Sequence, residues 1–231
     1  MGADGVEWRY ERKFSVPDLN LSEAEMCIRL HPAMFAPIYQ PRAVNNVYFD
    51  DLAMSSFIDN VEGVSARKKV RVRWYGSMFG EHETRLEFKI KSGQLGRKES
   101  WALPKMSMHR GMSKNDINAA LRRAELPDHA QMVLRSREPI LANRYSRKYF
   151  LSSDRKFRLT LDHGLEWYHL GPGTLTFLHR CREPRGVVLE VKYAREHDDE
   201  VEAIARRFPF RVTRSSKYVT GIQRVHPFGS R

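Results

Sequence analysis

The chain has 231 residues, 41% of them apolar and 11% aromatic, with a net charge of +12 from 40 Lys+Arg against 28 Asp+Glu. That composition excludes a disordered polybasic tail and leaves enough apolar matter for a sizeable core, while the charge points to an anionic partner: nucleic acid, an anionic membrane or a phosphorylated small molecule. No apolar run approaches the roughly 18 residues of a membrane span. The first residues lack the apolar stretch of a signal peptide. The two cysteines, Cys27 and Cys181, show neither pairing nor metal-ligand spacing, which fits a reducing cytoplasm. With no repeat, low-complexity tract or Pro/Gly/Ser-rich linker, residues 1–231 read as one domain.

In chain order, Trp8 to Val16 reads as a strand: Arg9, Glu11 and Lys13 share one face, and Tyr10 and Phe14 share the other with Arg12. A short helix follows, with Ser22 and Glu25 spaced as a capping box and Met26 and Leu30 one turn apart. VNNVYFDD predicts a short strand, and a loop or helical turn leads to Gly63. In SARKKVRVRWYG, Arg67, Lys69, Arg71 and Arg73 fall on one parity and Val70, Val72 and Trp74 on the other. Side chains on a strand alternate with period two, so one face suits a core and the other aligns cations that repel. TRLEFKIKSG repeats the pattern, with Glu87, Lys89 and Lys91 opposite Leu86, Phe88 and Ile90, and RKESWAL follows as its hairpin partner across a Gly93–Gly96 turn.

From Lys114 to Glu125, Ile117, Ala120, Leu121 and Ala124 recur at helical spacing, and Pro127 ends the pattern. ILANRYSRKYFL and KFRLTLD resume strands; in the second, Arg158, Thr160 and Asp162 oppose Phe157, Leu159 and Leu161. LTFLHR and GVVLEVKY add two more, the latter placing Glu190 and Lys192 opposite Leu189, Val191 and Tyr193. A helix near Asp198 to Arg207 and a short one in TRSSKYVTGIQR, capped by Thr213 or Ser215, close the chain. Trp74 and Trp101 read as core, and the Arg122–Arg123 pair as solvated surface.

Strands therefore dominate, at about eight or more, with helices at the edges: a mainly β, α+β domain. The charged strand faces are too many, and too nearly of one sign, for an ordinary surface, where signs intersperse. The economical arrangement is an inverted antiparallel barrel, its polar face lining a lumen and its apolar face covered by peripheral helices.

The runs RYERKF, VYFDD, ARKKVRVRWYG, LEFKIKSGQLGRKESWAL, RYSRKYFLSSDRKFRLTLD, GVVLEVKY and SSKYVTG, in this order from about residue 8 to 222, resemble the VTC domain. That is the polyphosphate polymerase branch of the triphosphate tunnel metalloenzymes, related more distantly to the CYTH triphosphatases and class IV adenylyl cyclases. The resemblance implies a tunnel of antiparallel strands lined by Arg, Lys and Glu. It implies that Lys13, Arg71, Arg73, Lys89, Lys98, Arg147 and Arg158 contact phosphates, with Tyr145 and Lys217 as further contacts and Ser216 beside that lysine. Arg67 and Lys69 extend the cationic row of their strand and are expected to bind phosphate as well. The resemblance makes Glu190 a metal ligand, with Glu11 as a second candidate; each also reads as a counter-ion to the cations. One departure concerns the Glu-x-Glu-x-Lys signature, which here reads Arg9-x-Glu11-x-Lys13.

Phosphoryl transfer asks a protein for positioning and for neutralisation of oxygen charge, not for covalent chemistry. Arginines grip phosphate bidentately, and lysines act as point charges. A divalent cation, Mn²⁺ or Mg²⁺, on Glu190 would offset leaving-group charge. No Ser–His or Cys–His constellation stands out. The expected activity is transfer of the ATP γ-phosphate to a growing polyphosphate chain, with Arg71, Arg73, Lys89, Arg158 and Lys217 closest to the chemistry. The alternatives are a metal-dependent triphosphatase of the same fold and a non-catalytic polyanion-binding module. Nucleic acid fits poorly, because grooves that bind it interleave exposed aromatics with cations, whereas Trp74, Phe88 and Phe157 alternate away from them. The cationic row also carries an expectation about stability: substituting Arg71 or Arg73 should relieve self-repulsion and leave the ligand-free protein as stable or more so.

Overall fold

The computed structural model describes residues 8–170, 180–183, 185–213 and 215–225. Its strands are β1 (Arg9–Val16), β2 (Ala36–Asp50), β3 (Ala66–Tyr75), β4 (Gly80–Ser92), β5 (Leu95–Met108), β6 (Glu138–Leu151), β7 (Arg158–His169), β8 (Arg180–Arg182) and β9 (Val187–Ala194). They pair antiparallel in the order β6-β2-β3-β4-β5-β1-β9-β7, and β7 pairs back onto β6, so eight strands close a ring while β8 adds to β7 beyond β9. The ring is not a regular barrel. β1 pairs with β9 along its whole length, but meets β5 at the single pair Arg9 and Gly96.

Alternation decides which side of each strand faces where. Val70, Val72, Trp74, Leu86 and Phe88 point outward into a core completed by Ile117, Ala120 and Leu121 of α3 (Lys114–Arg123) and Ala130 of α4 (Asp128–Arg135). Phe14, Leu159, Leu161, Leu189 and Val191 form a second outer core with Ala24 and Ile28 of α1 (Leu21–Arg29) and Val201 and Ala205 of α5 (Asp198–Arg206). Each fully buried side chain of this size contributes about 1.5–3 kcal/mol, and these apolar faces hold the ring shape against the charges inside it.

A third core forms on the opposite, lumen side. Tyr218 and Ile222 of α6 (Lys217–Val225) pack on Tyr48, Leu141, Tyr145, Trp167 and Val188, so α6 occupies part of the lumen. Its seat is close: a Cβ at Gly221 would stand 2.4 Å from Trp167 Cδ1 and 2.6 Å from Leu141 Cδ2. The buried Asp50 carboxylate ties the helix down, accepting from Tyr218 Oη at 2.6 Å, from Arg137 at 3.1 Å, and from the backbone N–H groups of Ser56 and Phe57 at the start of α2 (Ser55–Glu62). Trp167 Nε1 donates to the Lys217 carbonyl at 2.8 Å.

Local departures from the sequence expectation have local causes. Asn20 and Glu23, not Ser22 and Glu25, form the capping box of α1, so the helix starts earlier and Met26 and Leu30 face solvent. The strand at VNNVYFDD begins as early as Ala36, because register shifts accommodate Pro37 and Pro41. The β4–β5 turn is tighter than Gly93–Gly96, with Ser92 already paired to Leu95. α3 ends at Arg123, two residues short of Glu125, and Pro127 is the N-cap of α4, a helix that the sequence pattern does not announce. Ser216 caps α6 instead of Thr213 or Ser215, its carbonyl accepting from Thr220 N; Thr213 instead exchanges hydrogen bonds with Lys13 and Ser15 of β1. Most of LTFLHR lies outside the described residues, and its Arg180 opens β8.

Candidate functional site

The lumen holds two connected cavities. The inner one, about 450 Å³, is lined by Lys13, Arg71, Arg73, Lys98, Tyr145, Arg147, Arg158, Thr160, Glu190, Lys192 and Lys217 among others. The second, about 750 Å³, is lined by Arg12, Asn60, Arg67, Lys91, Gln94, Thr220 and Gln223 among others. Both share Glu11, Lys13, Lys69, Lys89, Ser215 and Ser216. Along β3 the order is therefore Arg67 in one cavity, Lys69 at the shared waist, and Arg71, Arg73 and Tyr75 in the other.

Buried carboxylates organise the cations of the inner cavity. Glu87, on β4 directly opposite Arg71 of β3, takes Arg71 Nε at 2.9 Å and Nη2 at 2.7 Å on one oxygen, and Lys98 Nζ at 3.1 Å on the other. Arg73 lies 3.7 Å from the same carboxylate and donates to Asn46 at 2.7 Å and to Tyr145 Oη at 3.3 Å. Burial pushes the Glu87 carboxyl up, but Arg71, Arg73 and Lys98 outweigh it and hold it well below the ordinary range. On the facing wall Asp162, fully buried, receives both Arg147 donors at 2.6 and 2.7 Å and Lys217 Nζ at 2.6 Å. Burial again opposes ionisation of Asp162, and the two cations lower its pKa to about 2. Lys217 Nζ also sits 4.9 Å from the Tyr145 ring centroid, and Arg147 5.3 Å. Arg71, Arg73, Arg147 and Lys217 are thus fixed before any ligand arrives.

The waist is crowded with lysines. Glu11 bridges Lys13 at 2.7 Å and Lys89 at 2.8 Å; burial and Glu190 raise its pKa, yet Lys13, Lys89 and Lys192 hold it at about 2. Glu190, one strand over, pairs with Lys192 at 2.9 Å and is likewise held well below the ordinary carboxylate range despite its burial. Burial lowers the Lys89 ammonium to about 7 in spite of Glu11. Lys69, whose Nζ donates to Ser216 Oγ at 2.8 Å, is driven well below its ordinary value by burial and by Lys13, Lys89 and Arg67.

The profile of the VTC domain matches residues 8–226. The chain belongs to the VTC domain family. Its fold is that of the CYTH-like triphosphate tunnel proteins: a putative adenylate cyclase from Vibrio parahaemolyticus aligns at TM-score 0.52 and 13% identity, covering 93% of this chain and 98% of that one. The PH1819 protein of Pyrococcus horikoshii aligns at 0.51 and 13%, covering 92% and 97%. A putative adenylyl cyclase from Hippeastrum, with a dominant triphosphatase activity, aligns at 0.50 and 12%, covering 93% and 94%. No curated protein matches this sequence.

In this VTC domain, Lys13, Lys69, Arg71, Arg73, Lys89, Lys98, Tyr145, Arg147, Arg158, Ser216, Lys217, Glu11 and Glu190 all line the inner cavity. Arg158 and Lys98 are exposed at its rim, whereas Arg73, Tyr145 and Arg147 are buried. Arg67 belongs to the other cavity, where it donates to the Val64 carbonyl at 2.6 Å. Among the described residues no three carboxylate, His or Cys side chains converge as a metal cage. Glu11 and Glu190 remain, two oxygen donors on adjacent strands, and a hard divalent cation such as Mg²⁺ is commonly held by one or two carboxylates with phosphate oxygens completing its shell. The Thr160 hydroxyl, directly opposite Glu190 on β7, is buried without a hydrogen-bond partner among the described residues, as befits a place where a ligand oxygen or hydrated ion belongs.

Sequence reasoning missed Glu87 and Asp162 as the anchors of the arginines, and Asp50 as the anchor of α6. The signal was present, since both Glu87 and Asp162 lie on the charged parity of their strands, but which cation each would meet depends on ring closure. The expectation that Arg71 merely repels its neighbours is corrected accordingly: Arg71 is a principal partner of a carboxylate 2% exposed, so removing it strands that charge. No helix among the described residues is long and apolar enough to cross a membrane.

Proposed function

We propose that this VTC domain is a metal-dependent polyphosphate polymerase, transferring the γ-phosphate of ATP to the end of an inorganic polyphosphate chain in the tunnel. The observation that carries this reading is the cation-rich lumen. Twelve Lys and Arg side chains line the inner cavity, against Glu11 and Glu190 in its lining and Glu87 and Asp162 behind it. Such a surplus asks for a ligand with several adjacent negative charges.

In this reading Arg71 and Arg73, steadied by Glu87, and Arg147 and Lys217, steadied by Asp162, grip the triphosphate from facing walls. Such fixed donors stabilise charge that develops during transfer without reorganising. A terminal phosphate oxygen of the chain attacks the γ-phosphorus, the bond from that phosphorus to the β-bridging oxygen breaks, and ADP leaves with the bonding electrons. Ser216 and Lys69 contact the chain at the waist, and Arg67 and Lys91 follow it into the outer cavity. Glu190, with Glu11, would hold a divalent cation, Mn²⁺ or Mg²⁺, which supplies further neutralisation of phosphate oxygens.

A phosphate acceptor is already anionic and needs no base, whereas attack by water does; Glu11, at about 2, is a poor base, and Lys89, at about 7, is the group in the cavity whose pKa would suit that role in a triphosphatase. A triphosphatase is the second reading, favoured by the activity of the Hippeastrum neighbour. The test is incubation of the pure protein with ATP and Mn²⁺ or Mg²⁺, followed by gel analysis and phosphate assay. Polymer formation is the expected result; free phosphate without polymer supports hydrolysis, and neither product overturns both readings.

A further inference from the structure

The two ends of the tunnel differ in chemistry. Among the residues lining the outer cavity none is aromatic. The inner cavity instead opens through tyrosines that continue the cationic rows: Arg71, Arg73 and Tyr75 on β3, and Tyr145, Arg147 and Tyr149 on β6. Tyr39 of β2 pairs with Tyr149 across the sheet, their rings edge to face at 5.6 Å. Tyr39 and Tyr75 remain 51% and 42% exposed, too much for rings recruited to a core. The exposed Arg42 guanidinium stands 5.6 Å from the Tyr39 centroid and 5.9 Å from that of Tyr75, with no carboxylate partner among the described residues.

We infer that Tyr39, Tyr75 and Arg42 form a stacking platform for the base of a nucleoside triphosphate, and so determine which end of the tunnel the nucleotide occupies. The inference rests on the reading of the inner cavity as a triphosphate site. Tyr75 is two strand residues from Arg73, about 6.8 Å along β3, a span the ribose bridges between the phosphates and the base. Flat π-faces and a planar guanidinium stack on any base without reading its edge.

The test is calorimetric titration of the whole protein with ATP and, separately, with inorganic triphosphate. The paired substitution Tyr39→Ala and Tyr75→Ala should weaken ATP about tenfold, the effect of losing roughly 1.4 kcal/mol of stacking, and leave inorganic triphosphate unchanged. The pair Tyr39→Phe and Tyr75→Phe keeps the π-faces and should restore ATP affinity. Equal weakening of both ligands, or weakening of neither, refutes the platform. Failure of the wild-type protein to bind either ligand refutes the tunnel reading beneath it, and the platform with it.

Discussion

Substituting Glu87 by Gln tests whether the inner cavity is held together by carboxylates that wait for a ligand to share their work. The change keeps size and one acceptor oxygen but removes the charge on which Arg71, Arg73 and Lys98 converge at 2.7, 3.7 and 3.1 Å. Breaking a buried ion pair costs about 3–5 kcal/mol, because the remaining partner is left uncompensated. With Glu87 2% exposed and the Gln oxygen still able to accept one bond, the lower end applies. For a chain of this length about 3 kcal/mol corresponds to a fall in Tm of roughly 6–12 °C. The decisive part is the response to inorganic triphosphate. An anion that takes over the vacated role should raise the Tm of Glu87→Gln by more than it raises the wild type, since binding adds to folding through mass action. Thermal unfolding with and without triphosphate, at fixed ionic strength, measures both effects. A variant with unchanged Tm, or with a smaller ligand response than the wild type, would show that Glu87 does not organise the arginines.

Arg71→Ala should lower the ligand-free Tm and weaken triphosphate binding by about 1.5–3 kcal/mol, the scale of a hydrogen bond to a charged group; calorimetry that finds full affinity would place the arginine outside the site. Glu190→Gln should abolish metal-dependent turnover while keeping or strengthening triphosphate affinity, read from turnover against Mn²⁺ concentration beside a binding titration. Lys89 sits at about 7 and Lys69 is likewise held well below its ordinary value, so between neutrality and the ordinary lysine range the unfolded chain binds more protons than the fold, and the contribution of these groups to ligand-free stability should rise with pH. A bound polyanion returns those protons, so triphosphate binding above neutrality should take up protons, visible as a buffer-dependent calorimetric enthalpy, and weaken as pH rises. Gly221→Ala, which in an open helix would stabilise, should here lower Tm and turnover together, because the new Cβ meets Trp167 and Leu141 and displaces the helix that carries Lys217.

Much of the fold was legible because inverted alternation is a strong signal. The charged parities of β1, β3, β4, β7 and β9 are the lumen, and the apolar parities are the cores under α1, α3, α4 and α5. What strand parity cannot express is closure. Which strand neighbours which is a long-range fact, and the pairing of Arg147 with Asp162, or of β1 with β9, follows only once β7 has met both β6 and β9. The lumen placement of α6 was hidden for a related reason. Its apolar face resembles that of any peripheral helix, and only the buried Asp50, reaching Tyr218 across 168 residues of chain, shows which side of the sheet it joins.

A tunnel of like charges is difficult to fold, and this chain meets the difficulty differently at its two levels. In the inner cavity Glu87 and Asp162 stay ionised behind the arginines, which cannot give up their protons, so each cation is anchored and still presents its remaining donors. At the waist Lys69 and Lys89 are buried beside Lys13 with Glu11 as the nearby carboxylate, and burial lets them shed charge instead. The first device keeps the grip rigid at all ordinary pH values. The second leaves the passage between the cavities less charged when empty than when a polyanion threads it, so the ligand strengthens attraction at the waist. An arginine could not replace either lysine in that role, because it would remain charged in the empty tunnel and add its repulsion to the folded state. Lys69→Arg should therefore lower ligand-free stability while leaving the net charge of the unfolded chain at neutral pH unchanged, and triphosphate should recover the loss. A ligand-free Tm equal to the wild type's would mean that Lys69 is charged in the empty tunnel, and that the waist does not respond to its ligand in this way.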